Sequence, residues 1–166
     1  MDKPQIQIVD EVDNLIGHKY RAHVDLATDI YRSSSLWLTN TRGQILIAQR
    51  KLTKDKDPGL WGPAVSGTID EGETYESNIV KEMDEEIGLC DVLPRRVTKI
   101  YQNSPRKQFI CIFAATVDLP LEAFTLQQDE VEAVKWIAAT ELMKDFKASP
   151  DKYVPSMGMF IARFHK

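Results

Sequence analysis

The chain contains little cysteine and carries no excess of positive charge. Its two cysteines, Cys90 and Cys111, provide neither a disulfide framework nor a zinc-binding spacing, so we expect reduced thiols in a cytoplasmic protein. Acidic residues number 25 against 21 basic ones, which gives a formal net charge of −4. A chain of this charge offers no basic patch for a nucleic-acid backbone, so long RNA or DNA is not an expected partner.

Long apolar segments are also missing. No run approaches the ~20 residues that a membrane-spanning helix needs, and the N-terminus MDKPQIQIVDEVD lacks the apolar centre of a signal peptide. We therefore expect no membrane partner.

The composition, 43% hydrophobic and 28% charged, is that of an ordinary globular protein. A chain of 166 residues can bury a sizeable core, and we expect one domain over residues 1–166.

The most unusual stretch is the acidic segment KEMDEEIG at residues 81–88. Glu82, Glu85 and Glu86 stand three or four residues apart, so a helix would place them on one face. Like charges at this spacing destabilise a helix, and the negative C-terminal end of the helix dipole opposes them further. A bound divalent cation would offset both effects, and carboxylate oxygens suit Mg²⁺ or Mn²⁺.

The remainder of this segment has the pattern of a well-formed helix. Thr74 is a candidate N-cap and Gly88 a natural stop signal. The apolar residues of the segment recur every four positions and predict a buried stripe: Tyr75, Ile79, Met83 and Ile87. The three glutamates lie off that stripe and can face a cleft.

Alternating and apolar runs predict strands on both sides of this helix. An N-terminal hairpin with its tip at residues 12–14 leads into a connector, and residues 1–33 are expected to pack on the rest of the domain. The further strands are predicted at 34–39, 44–50, 64–66, 97–101, 108–117 and 131–137. We expect one helix capped by Thr140 and a last helix starting at Pro155. The element order indicates an α/β or α+β protein.

The stretch from Gly67 to Leu89 resembles the Nudix box, which carries a glycine, a glutamate and a glutamate-rich helix end at fixed spacing. The matching residues are Gly67, Glu73, Glu82, Met83, Glu85, Glu86, Gly88 and Leu89. The resemblance implies an α/β/α sandwich with a mixed β-sheet. It also implies hydrolysis of a diphosphate linkage in a nucleoside diphosphate derivative or similar small phosphorylated molecule. The moiety joined to the diphosphate stays open.

The same resemblance implies roles for the acidic residues. Glu82, Glu85 and Glu86 are expected to hold Mg²⁺ or Mn²⁺, with the carbonyl oxygen of Gly67 as a further ligand. A general base must lie near that metal, and both Glu85 and Glu130 are candidates for it.

Cations near the box are candidates for binding substrate phosphate, and ordinary exposed cations are the alternative interpretation. Arg50 and Lys54 lie at the end of a predicted strand and in the loop after it, and Arg106 lies at a later turn. One box position departs from the family, because Lys81 stands where the family has arginine. Lysine supplies charge without the two-pronged donor of arginine, so we expect weaker bracing of Glu73 or Glu85 and slower catalysis.

A second resemblance concerns the substrate. The order of YRAH, SLWLTNTRGQILIAQRKLTK and PGLW is similar to that of Nudix-fold isopentenyl diphosphate isomerases. Those enzymes use a cysteine just before the box glycine and a histidine just after it, where this chain has Ser66 and Thr68. We therefore favour hydrolysis and keep isomerisation as an alternative. A Nudix module that binds without turnover is a third hypothesis, suggested by Lys81, and a homodimer is among the expected assemblies.

Overall fold

The computed structural model describes residues 3–165 and contains nine strands, three α-helices and three short 3-10 turns within that part of the chain. The strands are β1 (Ile6–Val9), β2 (Leu15–Lys19), β3 (Ile30–Thr39), β4 (Gln44–Arg50), β5 (Trp61–Pro63), β6 (Val65–Thr68), β7 (Arg95–Gln102), β8 (Lys107–Thr116) and β9 (Val131–Ala138). The α-helices are α1 (Tyr75–Ile87), α2 (Ala139–Ala148) and α3 (Met157–Phe164), and the 3-10 turns are Arg21–His23, Leu121–Ala123 and Pro150–Lys152.

Strand β3 joins all parts of the sheet. One of its edges pairs in parallel with β8 along its whole length, from Ile30 opposite Lys107 to Thr39 opposite Thr116. Its other edge is shared in succession by β1, β6 and β4, all antiparallel to it. β7 extends the sheet beyond β8, and β4 pairs with both β5 and β9. The predicted mixed sheet is therefore confirmed.

The two faces of this sheet bury two separate cores because side chains alternate along β3. Leu36 and Leu38 pack against the apolar stripe of α1 on one face. Trp37 points to the opposite face, where α2 and α3 cover the sheet. Its ring stacks on Phe160 and Phe164 with centroid distances of 5.7 and 5.2 Å. Helices thus lie on both faces, as the predicted α/β/α sandwich requires.

Several predicted boundaries differ from the structure. Strand β3 begins at Ile30 and not at residue 34, because β1 and β8 both pair with its first residues. The prediction that Thr140 caps a helix is wrong, since α2 begins at Ala139 after an N-cap at Ala138. The last helix begins two residues after Pro155. In residues 3–165, no helix has both the length and the apolar character that crossing a membrane requires.

A buried carboxylate ties the N-terminal hairpin to the rest of the fold. Asp13 lies at the tip between β1 and β2 with a φ of 65°, and its side chain is 5% exposed. Arg32 on β3 and Lys99 on β7 donate to this carboxylate at 2.7 and 2.5 Å. The hydroxyl of Tyr75 on α1 donates to it as well, at 3.0 Å. Burial works to raise the pKa of Asp13, but these three donors together hold it below its ordinary value.

We expect Asp13→Asn to destabilise the protein by about 2–3 kcal/mol, because it leaves two partly buried cations without their shared anion. Asparagine tolerates the same backbone conformation, so the change tests the charge. Urea denaturation at neutral pH measures the free energy of unfolding. The matched control is Glu11→Gln at the exposed part of the same turn, which we expect to change stability by less than ~0.5 kcal/mol. A similarly small effect of Asp13→Asn would contradict this account.

Candidate active site

Helix α1 is held in place at both of its ends. At the N-terminus, the Thr74 side chain accepts from the Ser77 backbone N–H, and the Ser77 hydroxyl accepts from the Thr74 backbone N–H. At the C-terminus, Gly88 adopts a left-handed conformation with a φ of 68°. The backbone N–H of Leu89 then bonds to the carbonyl oxygen of Met83 at 3.0 Å. The cap, the stop and the buried stripe of the predicted helix are all confirmed.

This placement brings two glutamates of α1 against the backbone of β6. A Cβ atom built on Gly67 would lie 2.4 Å from Cγ of Glu82, so only glycine permits this approach. One turn further along α1, Glu86 accepts a hydrogen bond from the backbone N–H of Ser66 at 3.3 Å. Glu85 lies between them in sequence, but its side chain is exposed to solvent.

The two partly buried carboxylates are poorly compensated. Burial raises the pKa of Glu82 to about 7, with further contributions from the charges of Glu85 and Glu73 and an opposing one from Lys81. Burial also raises the pKa of Glu86 well above its ordinary value, and the neighbouring charge of Glu82 adds to this effect. Both groups therefore resist ionisation in the isolated protein.

The predicted ligands do not form a compact cluster. Across residues 3–165, no three side chains of His, Cys, Asp or Glu stand close enough together to hold a metal ion. Glu82 and Glu86 face β6, whereas Glu85 is turned outward. The donor chemistry nevertheless fits a divalent cation. The available atoms are carboxylate oxygens, Glu86 has no cation within salt-bridge distance among the described residues, and Gly67 has no side chain to fill the space beside them.

Lys81 contacts several acidic groups at the base of this face. Its ammonium lies 2.5 Å from Oε1 of Glu73, 3.4 Å from Oδ2 of Asp70 and 3.6 Å from Oε1 of Glu82. Glu73 also accepts from the Asp70 backbone at 2.9 Å and from the Asn78 amide at 2.8 Å. Of the two glutamates that Lys81 was expected to brace, the structure brings Glu73 into contact with it. The described contacts of the ammonium do not include Glu85.

Two of the predicted phosphate-binding cations, Arg50 and Lys54, are linked to the end of α1 through Glu86 and Glu130, and they have different partners. Lys54 forms a salt bridge of 2.5 Å with Glu130, so two residues that the sequence assigned to separate roles partly neutralise each other. Arg50 donates its Nε to the carbonyl oxygen of Lys56 at 2.9 Å. The charges of Arg50 and Glu130 both act on the Glu86 carboxyl.

Arg106 pairs with a residue that the sequence analysis had not singled out. Its guanidinium donates to Asp57 at 2.5 and 3.3 Å, which fixes it beside the loop after β4. Lys56 in that loop was also missed, and its ammonium lies 5.0 Å from the centre of the Tyr31 ring. The only sequence signal was the alternation of charges in KDKDPG at residues 54–59, which is equally typical of a solvated loop.

The family comparison covers most of the chain, since the NUDIX domain model matches residues 31–157. An uncharacterised Nudix hydrolase of Pseudomonas aeruginosa is 29% identical over 150 residues, covering 90% of this chain and 87% of that protein. An isopentenyl-diphosphate Delta-isomerase of an Enterobacter species is 31% identical over 159 residues, covering 90% of this chain and 85% of that enzyme.

Solved structures match the fold as well. The Deinococcus radiodurans protein DR0079 superposes with a TM-score of 0.85 at 20% identity, covering 98% of this chain and 99% of that one. The NUDIX domain of Shewanella oneidensis NrtR, solved with ADP ribose, gives a TM-score of 0.62 at 17% identity, covering 87% of this chain and 90% of that one. At these identities the superpositions show a shared fold.

The raised pKa of Glu82 predicts a pH-dependent stability of the metal-free protein. A carboxyl whose folded pKa is about 7 and whose unfolded pKa is near the ordinary glutamate value of 4.5 binds more protons when folded, so stability falls as pH rises through that window. The free energy of unfolding of the wild type should fall by on the order of 2 kcal/mol between pH 5 and pH 8. We expect Glu82→Gln to abolish this decrease.

Thermal unfolding in EDTA at several pH values measures this effect. The matched control is Asp84→Asn, an exposed carboxylate on the same helix that should keep the pH dependence of the wild type. If Glu82→Gln and the wild type lose stability in parallel over this range, then Glu82 is already ionised at low pH and the assignment fails.

Proposed function

Because this chain belongs to the Nudix family, which the match over residues 31–157 establishes, we propose that it hydrolyses a diphosphate linkage with Mg²⁺ or Mn²⁺. The proposed substrate is a nucleoside diphosphate derivative or a similar small phosphorylated molecule. One observation carries the proposal: Glu82 and Glu86 are held together against the Gly67 and Ser66 backbone, and the one cation within salt-bridge distance among the described residues is Lys81, 3.6 Å from Glu82.

We assign the ion to Glu82, Glu85 and Glu86, with the carbonyl oxygen of Gly67 as a further donor. When bound, a divalent ion neutralises phosphate oxygens and acidifies a water molecule. The chain contributes a rigid set of ligands, because the caps of α1 and the contact with β6 fix the helix. Lys81 supports this face through its contact with Glu73 at 2.5 Å and lies 3.6 Å from the proposed ligand Glu82.

The general base is Glu85 or Glu130, and the contacts favour Glu85. Glu130 is engaged by the Lys54 ammonium at 2.5 Å, so it could take a proton only by breaking this ion pair. Glu85 is exposed and forms no salt bridge with the described residues, so only its proposed contact with the ion would compete with proton transfer. If Lys54 instead binds a substrate phosphate, Glu130 is released from this ion pair and could then act as the general base.

Arg50, Lys54 and Arg106 are the proposed contacts for the diphosphate oxygens. Arg50 is the most available of the three, since its described side-chain bond uses only Nε and leaves its terminal nitrogens to bind phosphate. The ADP ribose bound by the Shewanella domain supports a nucleotide-derived substrate. The homodimer expected from the sequence stays a prediction.

Isomerisation of isopentenyl diphosphate is the second candidate, favoured by relatives of that name at 31% identity. The residues oppose it. Ser66, at the position of the cysteine of that enzyme, shares a hydrogen bond of 2.9 Å with the Ser35 hydroxyl. A serine hydroxyl is a far weaker acid than a thiol, so protonation at carbon has no evident source here. Thr68 likewise replaces the metal-binding histidine of that enzyme.

We expect Mg²⁺-dependent hydrolysis of at least one compound in a panel of nucleoside diphosphate derivatives, and no double-bond migration in isopentenyl diphosphate. Product analysis by chromatography and phosphate release measures both reactions.

Glu86→Gln should lower kcat by on the order of 100-fold or more, because misplaced groups lose rate steeply. Asp84→Asn is the matched control. Migration of the double bond above a metal-only blank, without hydrolysis, would overturn the proposal.

Lys81→Arg should raise kcat by a few-fold and leave KM nearly unchanged. An arginine fork can bond Glu73 and Asp70 together, whereas the lysine ammonium meets them as a point charge at 2.5 and 3.4 Å. Firmer bracing of α1 acts mainly in the transition state, which changes kcat rather than KM. Steady-state kinetics on the substrate found in the panel measure the effect. A slower Lys81→Arg enzyme would mean that lysine is matched to its own partners.

A further inference from the structure

A second charged centre lies beside the candidate active site, in the loop that follows β4. Lys56 is half-buried, with its ammonium 5.0 Å from the centre of the buried Tyr31 ring. Within residues 3–165, no carboxylate lies within salt-bridge distance of this ammonium. A partly buried cation without an anion is costly to a fold, which indicates that something else neutralises it in use.

Other cations converge on Lys56 where repulsion would be expected to disperse them. Arg50 bonds to the carbonyl oxygen of Lys56 at 2.9 Å, and its guanidinium also makes no salt bridge with the described residues. Arg106 is held on the far side by Asp57 at 2.5 Å. Burial lowers the pKa of Lys56, and the charges of Arg106, Arg21 and Arg50 lower it further, whereas the charge of Asp57 acts in the opposite direction. Of these cations, Arg106 and Arg21 have carboxylate partners, Asp57 and Asp70.

We propose that Lys56, Arg50 and Arg106 form a subsite for a terminal, singly esterified phosphate, so that the substrate ends in a free phosphate group. This inference rests on the proposed function and narrows its substrate class. A singly esterified phosphate carries about −1.5 to −2 charges at neutral pH. That charge matches the two cations, Lys56 and Arg50, that lack a carboxylate partner. The inner phosphates of a molecule esterified at both ends carry one charge each and match this subsite less well.

The position of the subsite is consistent with binding the terminal phosphate of a diphosphate. The charge of Arg50 acts on both Glu86 and Lys56, so Arg50 is near enough to influence the metal-binding carboxylates and the proposed subsite. A diphosphate could therefore place one phosphate at the carboxylates and its terminal phosphate on Lys56 and Arg106. The Asp57 carboxylate occupies the Arg106 guanidinium through two bonds, so a phosphate would compete with Asp57 for this cation.

Binding to the metal-free protein tests the subsite separately from catalysis. We would titrate the protein in EDTA with inorganic phosphate, ADP and P1,P2-di(adenosine) diphosphate by calorimetry. The two nucleotides share their base and differ in the free terminal phosphate. We expect ADP to bind about tenfold or more tightly than the doubly esterified compound, the effect of one charge-assisted hydrogen bond. We expect inorganic phosphate to bind measurably as well.

Lys56→Met should abolish the preference for ADP, and Lys56→Arg should retain it to within a few-fold. Lys147→Met, an exposed lysine on α2, is the matched control and should bind as the wild type does. Asp57→Asn tests the same idea in the opposite direction, because it frees Arg106 and should tighten phosphate binding. Asparagine accepts the φ of 49° at that position, and thermal unfolding checks that each variant is folded.

Equal affinity for the two nucleotides, no ADP binding at millimolar concentration, or an undiminished preference in Lys56→Met would each overturn the subsite. None of these outcomes depends on turnover. Loss of hydrolysis in Mg²⁺ with the ADP preference intact would instead count against the proposed function alone.

Discussion

The close approach of Glu82 to the backbone of Gly67 is the constraint on which the site depends. It requires glycine on β6, a well-capped α1, and a sheet face that accepts the apolar stripe of that helix. Lys81 then holds Glu73 and Asp70 at the base of the same face, where the chain turns from β6 into the helix. Because each of these contacts restricts the next, the carboxylates are set by the fold itself rather than by loop geometry.

Charge in this region is separated and left incompletely neutralised. Buried carboxylates stand at one end of α1, and cations gather beside them in the loop after β4. Ionisation of either group alone is unfavourable, because burial disfavours the charged form of both Glu82 and Lys56. A metal-bound diphosphate carries both signs of charge and would satisfy both groups together.

Much of the fold could be predicted because local signals and tertiary contacts agree. The cap at Thr74, the stop at Gly88 and the box spacing all lie within one segment, and the predicted Nudix-type hydrolase is confirmed by the family match. The start of β3 could not be predicted, since residues 30–33 become a strand only through pairing with distant segments. The ion pair of Lys54 with Glu130 and the placement of Lys56 over Tyr31 also join distant positions.

The parallel pair of β3 with β8 has a consequence for how the chain folds. These two strands form the longest pairing in the sheet, yet β4, β5, β6, α1 and β7 all lie between them in sequence. A parallel pair cannot form through a tight hairpin, so a long loop must close before its contacts can contribute. Topologies dominated by such distant pairings fold slowly for their size. Until β8 docks, β3 carries an unpaired apolar edge, so during synthesis the nascent sheet is most exposed to association with other chains.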